Sequence, residues 1–156
     1  AFAHEAAGNP DQRLHYHQLA DGIHPGVLKH MGDLNRLYRD TPASNVNETE
    51  PRGFDGVDTT DNEASFISFL RLGNDGDAPA VVVCNFTPVP REGYRIGMPS
   101  GGRWLERINT DCKHSGGSGL GNRGSVKADK VPCHGHPYSL KLTLPPLSTL
   151  VLTPEA

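Results

Sequence analysis

No apolar run in this sequence approaches the roughly 20 residues that a membrane-spanning helix needs, and the amino terminus carries neither a basic stretch nor an apolar one of the export type. The reading is a soluble, cytoplasmic protein with no membrane partner. Positive charge is not in excess: fifteen Lys and Arg stand against eighteen Asp and Glu, a formal net charge of -3. That balance excludes an electrostatic footprint for nucleic-acid phosphates. Cysteine is scarce and odd in number. Cys84, Cys112 and Cys133 do not make a disulfide-stapled miniprotein of a 156-residue chain, and they fit a reducing compartment. Aromatic residues are few, with five Phe, four Tyr and a single Trp. Internal repeats and coiled-coil heptads are absent, and the length suits about one domain.

Glycine and proline are plentiful, eighteen and thirteen residues, and the 35% hydrophobic fraction falls in short runs. Many short strands joined by tight turns follow from that mixture. One helix stands out. In residues 25–40, Val27, Leu28, Met31, Leu34, Leu37 and Tyr38 share one side of a 3.6-residue repeat, with Pro25 suited to the first turn and Pro42 to the stop. The preceding residues 1–23 read as loop, and the polar, proline-containing stretch 41–52 reads as a linker.

Beyond it come the strands. Alternation or continuous apolar character marks 54–58, 64–72, 80–86, 94–98, 103–109, 138–144 and a last strand through Leu150 and Leu152. The turn Gly73-Asn74-Asp75-Gly76 joins the second and third as a hairpin, Pro99-Ser100-Gly101-Gly102 gives a second hairpin, and Pro145-Pro146 gives a third. About seven strands so spaced predict an antiparallel β-sandwich. Leu140, Leu142, Leu144, Leu150 and Leu152 should face its core. The five glycines between Gly116 and Gly124 argue against ordered sheet in the long connection 111–137.

Chemistry-bearing clusters are thin. Cys112-x-His114 and Cys133-His134-x-His136 supply zinc-type donors, but their spacing matches neither C-x2-C nor H-x3-H, so no metal is assigned. The run GGSGLGNRG, residues 116–124, lacks the Lys of a phosphate loop and the strand-loop-helix context of a dinucleotide fold. The histidines of LHYHQLADGIH have no partner nucleophile in a recognisable context. No carboxylate pair is marked as acid and nucleophile. The residues by themselves give a β-domain with no catalytic site and no cofactor.

The stretch NFTPVPREGYRIGMPSGGRWLERINTD, residues 85–111, closely resembles the carboxyl-terminal part of bacterial glycogen branching enzymes, the 1,4-α-glucan branching members of the α-amylase superfamily. The resemblance continues through Gly116-Gly117-Ser118, Gly121-Asn122, His134-Gly135 and the tail SLKLTLPPLSTLVL, and upstream through DLNRLYRDTPA, residues 33–43. It implies an α-amylase-type all-β domain over residues 45–156, and a remnant of the end of a (β/α)8 barrel, its loop and last helix, over residues 1–44. It also implies α-glucan as the parent's substrate and the missing catalytic barrel as a partner. Such enzymes pass an α-1,4 glucan segment through a carboxylate nucleophile to a glucan 6-hydroxyl, with catalytic carboxylates earlier in sequence than anything here, so this chain alone should be inactive.

Near the amino terminus the family pattern E-F-x-Q, W-N-H-D becomes Ala1-Phe2-Ala3-His4 and Gly8-Asn9-Pro10-Asp11. Asn9 and Asp11 are retained, and they are the substrate-binding residues that the resemblance carries over. The alternative is a free-standing glucan-binding module that stacks sugars on Trp104, Tyr94 or Tyr138, although alternating strand positions favour the core for all three. The apolar stripe of residues 25–40, parted from its barrel, is expected to fold back on the sandwich or to pair with a second copy.

Overall fold

The computed structural model describes residues 24–58 and 65–155. The loop reading of residues 1–23 lies outside them. Helix α1 (His24–Asp40) and the one-turn α2 (Pro42–Asn45) precede eight strands: β1 (Phe54–Asp58), β2 (Phe66–Arg71), β3 (Ala80–Asn85), β4 (Arg91–Met98), β5 (Arg103–Asn109), β6 (Ser125–Lys127), β7 (Tyr138–Leu144) and β8 (Ser148–Pro154). Six form one antiparallel sheet in the order β1-β2-β3-β8-β5-β6, and β4 pairs with β7 in a second, two-stranded sheet. The expected sandwich is therefore present. No helix of the described residues is long and apolar enough to cross a membrane.

The core lies between the two sheets because side chains alternate across each strand. Phe66, Leu70, Val81, Val83, Trp104, Leu150 and Leu152 point inward from the large sheet. Ile96, Met98, Leu140, Leu142 and Leu144 meet them from the small one. All five leucines expected to face the core are at most 1% exposed. A bulge in β5 between Glu106 and Ile108 breaks the alternation, so Trp104 faces the core while Ile108 faces outward.

On that outer face Ile108 joins Ala80 and Val151 in a second cluster, with Ala43 of α2, and Leu34 and Leu37 of α1 pack against it. The sandwich thus has a third layer. The apolar stripe of α1 is divided by this docking: Leu34 and Leu37 are half-buried, while Val27, Leu28, Met31 and Tyr38 stay 40–58% exposed. At the helix start Gly26 is buried against the Ser115 backbone, where an added Cβ would lie 3.0 Å from Ser115 C.

Four expectations fail. The second hairpin does not exist, because β4 pairs with β7 and β5 with β6 and β8. The third fails likewise, because β7 and β8 lie in different sheets. In both cases the short connection is an arch that carries the chain from one sheet to the other, so the two strands face each other across the core. The stretch 111–137 is also more ordered than its glycines imply. It holds β6, which pairs Ser125 with Leu105 and Val126 with Trp104, and raises the count to eight. The stretch 41–52, read as a linker, is packed as well: Ala43 and Asn47 are 0% and 1% exposed.

Candidate functional site

Polar side chains build the connection that follows β5. Asp111 accepts hydrogen bonds from Ser118 N (3.0 Å), Ser118 Oγ and Leu120 N (3.2 Å), while Asn109 Nδ2 donates to Leu120 O at 2.8 Å. Asn122 then bridges the sheets. Its Nδ2 donates to Glu106 Oε2 at 2.7 Å and to Thr143 O at 3.1 Å, and its Oδ1 accepts from Thr143 N at 2.8 Å. These bonds replace the ladder that a glycine-rich chain cannot supply from apolar packing.

Beside this network runs an open groove of about 650 Å³, lined by Glu92, Glu106, Lys113, His114, Arg123 and Thr143 among others. Among the described residues no Phe, Tyr or Trp lines it. Glu106, the acid closest to its centre of hydrogen bonding, is committed to Asn109 and Asn122, so its carboxylate serves as a structural acceptor. A second groove of about 540 Å³ lies between the end of α1 and the outer sheet face, with Asp33, Arg36, Asp40, Arg107 and Thr153 on its walls. There the Lys29 ammonium, 2.8 Å from Asp33 Oδ2, holds that carboxyl below the usual carboxylate range. The hydrogen bond from Tyr38 to Glu48, also 2.8 Å, pushes the Tyr38 phenol up. Among the described residues that line the two grooves, no hydroxyl or thiol is hydrogen-bonded to a carboxylate or an imidazole; Cys112, on the wall of the first, pairs with Ser115.

The sulfur and imidazole donors are dispersed into other work. Cys112 Sγ shares a hydrogen bond with Ser115 Oγ, whereas Cys133 Sγ reaches Arg95 O. His134 Nδ1 accepts from Gly97 N at 3.3 Å, which helps hold the 133–136 turn over β4. Among the described residues, no three His, Cys, Asp or Glu side chains gather as metal ligands.

Of the candidate sugar platforms, Trp104 is 0% exposed in the core. Tyr94 is half-buried with its ring 4.8 Å from that of Phe66, and half-buried Tyr138 packs on the main cluster. The stacking-module alternative loses Trp104 to the core and keeps only partly covered tyrosines. Asn9 and Asp11 lie outside the described residues.

The pattern of the family described as alpha amylase, C-terminal all-beta domain, matches residues 57–155. The chain is 46% identical over 153 residues to the 1,4-alpha-glucan branching enzyme GlgB of Cereibacter sphaeroides, covering 98% of this chain and 21% of that protein. It is 49% identical over 142 residues to the GlgB of Aquifex aeolicus, covering 91% and 22%, and 47% identical to that of Burkholderia thailandensis over 150 residues, covering 96% and 18%. It spans about a fifth of the length of these curated relatives, in their carboxyl-terminal part. A solved α-amylase from H. orenii shares the fold at a TM-score of 0.53, with 17% identity, over 97% of this chain and 25% of that one. With the sandwich in place and the family pattern covering nearly all of it, this chain belongs to the α-amylase C-terminal all-beta domain family.

Proposed function

We propose that the chain serves as the carboxyl-terminal region of a cytoplasmic 1,4-α-glucan branching enzyme, bracing a barrel that transfers α-1,4-glucan segments to form α-1,6 branches in glycogen. The observation that carries this reading is 46–49% identity to branching enzymes over 91–99% of the chain. In it, residues 1–44 close the barrel, residues 45–156 form the supporting domain, and Asn9 and Asp11 contact glucan. The outer face of α1 favours the same role. Val27, Leu28 and Met31 form an exposed apolar strip directly beyond the docked Leu34 and Leu37, which suits the flank of a neighbouring barrel. In the isolated chain that strip pairs with the same strip of a second copy. Nucleic acid and membrane play no part in the reading.

A chimera tests it. The matching region of the Aquifex aeolicus enzyme is replaced by this chain, and branching of amylose is followed by iodine absorbance and by the chains that a debranching enzyme releases. The chimera is expected to branch, whereas the 156-residue chain alone leaves amylose unchanged. A folded chimera without activity, or saturable binding of maltoheptaose by the chain alone, would overturn the reading.

A further inference from the structure

An aspartate followed by glycine can react with its own backbone, because glycine puts no side chain beside the nitrogen that must attack. The sequence holds three such pairs: Asp21-Gly22, which lies outside the described residues, Asp55-Gly56 and Asp75-Gly76. The fold treats the last two in opposite ways.

Asp55-Gly56 lies inside β1. Asp55 pairs with Leu70 and Gly56 with Phe69 of β2, and the neighbouring Phe54 ring stacks 5.0 Å from that of Phe69. This ladder holds the peptide unit between Asp55 and Gly56 extended, so the unit turns only when β1 lifts from β2.

Asp75-Gly76 forms the tip of the β2-β3 hairpin. Asp77 N donates to Asn74 O at 3.0 Å, which closes a turn with Asp75 and Gly76 at its centre. Both central residues are exposed, and Gly76 has a φ of 93°. No described residue accepts a hydrogen bond from Gly76 N, and a Cβ added to Gly76 would meet nothing within 4 Å. The nitrogen is therefore unpaired, and the tip carries no packing.

The base of the same turn is fixed. Asn74 N donates to Asp77 Oδ2 at 2.8 Å, and Asn47 Nδ2, from a side chain 1% exposed, donates to Gly73 O at 2.7 Å. Below it the register runs unbroken from Arg71 opposite Ala80 to Phe66 opposite Asn85. Rotation of the peptide unit at the tip thus breaks no strand pairing, and an extra main-chain atom there leaves the hairpin closed.

We propose that Asp75-Gly76 is a self-modification site, at which the folded chain converts aspartate to isoaspartate through a cyclic imide. Gly76 N attacks Asp75 Cγ: the N–Cγ bond forms, one Cγ–O bond breaks, and that oxygen leaves as water with the amide proton and the carboxyl proton. Water then opens the ring. Addition at Cγ restores aspartate, whereas addition at the main-chain carbonyl carbon of Asp75 gives isoaspartate, whose backbone runs through Cβ and Cγ. Nothing is oxidised or reduced, and each passage through the ring installs one oxygen atom from solvent. The site depends neither on a barrel nor on glucan.

Water enriched in heavy oxygen reads those passages directly. The folded 156-residue chain is incubated in it and digested, and the label is located by peptide fragmentation. Asp75 is expected to take up label about ten-fold faster than Asp55 or more, and a protease that cuts before aspartate but not before isoaspartate should progressively fail at residue 75. In concentrated urea the two rates should converge, because the ladder that protects Asp55 is gone. Gly76→Ala, compared in urea so that folding plays no part, should slow uptake at Asp75 several-fold by crowding the attacking nitrogen. Equal uptake at the two sites in the folded chain, a ratio that urea leaves unchanged, no effect of Gly76→Ala, or no label at Asp75 would overturn the proposal.

Discussion

Leu142→Ala probes the sandwich where it has least room to adjust. Leu142 sits on β7 opposite Tyr94 of β4, is 0% exposed, and faces a core that includes Trp104, Leu150 and Leu152. The substitution deletes three carbon atoms, a transfer loss of about 2.4 kcal/mol at roughly 0.8 kcal/mol per methylene. The void adds about 1 kcal/mol more, because two hydrogen-bonded sheets do not close around a single missing side chain. The expected total is about 3.5 kcal/mol, a large share of the roughly 5–15 kcal/mol that a domain possesses. Trp104 is the only tryptophan and is fully buried, so its fluorescence reports urea unfolding of the core directly. With a slope near 2 kcal/mol/M, the midpoint should fall by about 1.7 M at unchanged slope. The neighbouring Lys141→Ala, on an exposed position, should change stability by no more than about 0.5 kcal/mol. If Leu142→Ala moves the midpoint as little as Lys141→Ala does, the packing argument is refuted.

Gly97→Ala should lift the 133–136 turn off β4, because the new Cβ would lie 2.2 Å from the Cys133 carbonyl oxygen; the expected cost is about 1–3 kcal/mol, with faster maleimide labelling of Cys133. Asn122→Ala removes a link between Glu106 and the Thr143 backbone, and should cost about 1–3 kcal/mol while raising amide exchange in residues 118–124. Asp33 has a folded pKa depressed by Lys29, so its contribution is present above the unfolded value of 3.8 and is lost as pH falls through the folded one. Because the Lys29–Asp33 pair is screened by water the effect is small, and it should appear as faster exchange confined to α1 below pH 4. Leu28→Ser with Met31→Ser should abolish concentration-dependent dimerisation in sedimentation velocity without changing the melting midpoint, since both side chains are exposed.

Alternation told which way each side chain points, and that is why Leu140, Leu142, Leu144, Leu150 and Leu152 could be placed in the core from sequence. It could not tell which strands are neighbours. Pro99–Gly102 and Pro145–Leu147 are short enough for hairpins, but a short connection serves equally for an arch, and in both arrangements alternate residues turn to the same core. Strand β6 escaped notice because three residues, Ser125-Val126-Lys127, are too few to display a period. Order in the glycine-rich stretch comes from Glu106, Asn109, Asp111 and Asn122, whose contacts span up to 21 positions and leave no local pattern. The divided stripe of α1 was half legible: periodicity placed Leu28 and Leu34 on one side, and only the position of the outer sheet face separates them. Asn9 and Asp11 were reached by resemblance alone, which no spacing of residues within the chain could have replaced.

The position of β8 governs how this chain can be assembled during synthesis. It lies between β3 and β5 and, among the described residues, joins the β1-β2-β3 group to the β5-β6 pair. Until residues 148–154 have left the ribosome, each group presents an open edge of unpaired backbone amides, and the half-built core has no means of closing. Loss of residues 148–154 would therefore leave the six-stranded sheet in two unjoined parts. The segment acts as a keystone: chains that lack it cannot close the core and are substrates for proteases and chaperones.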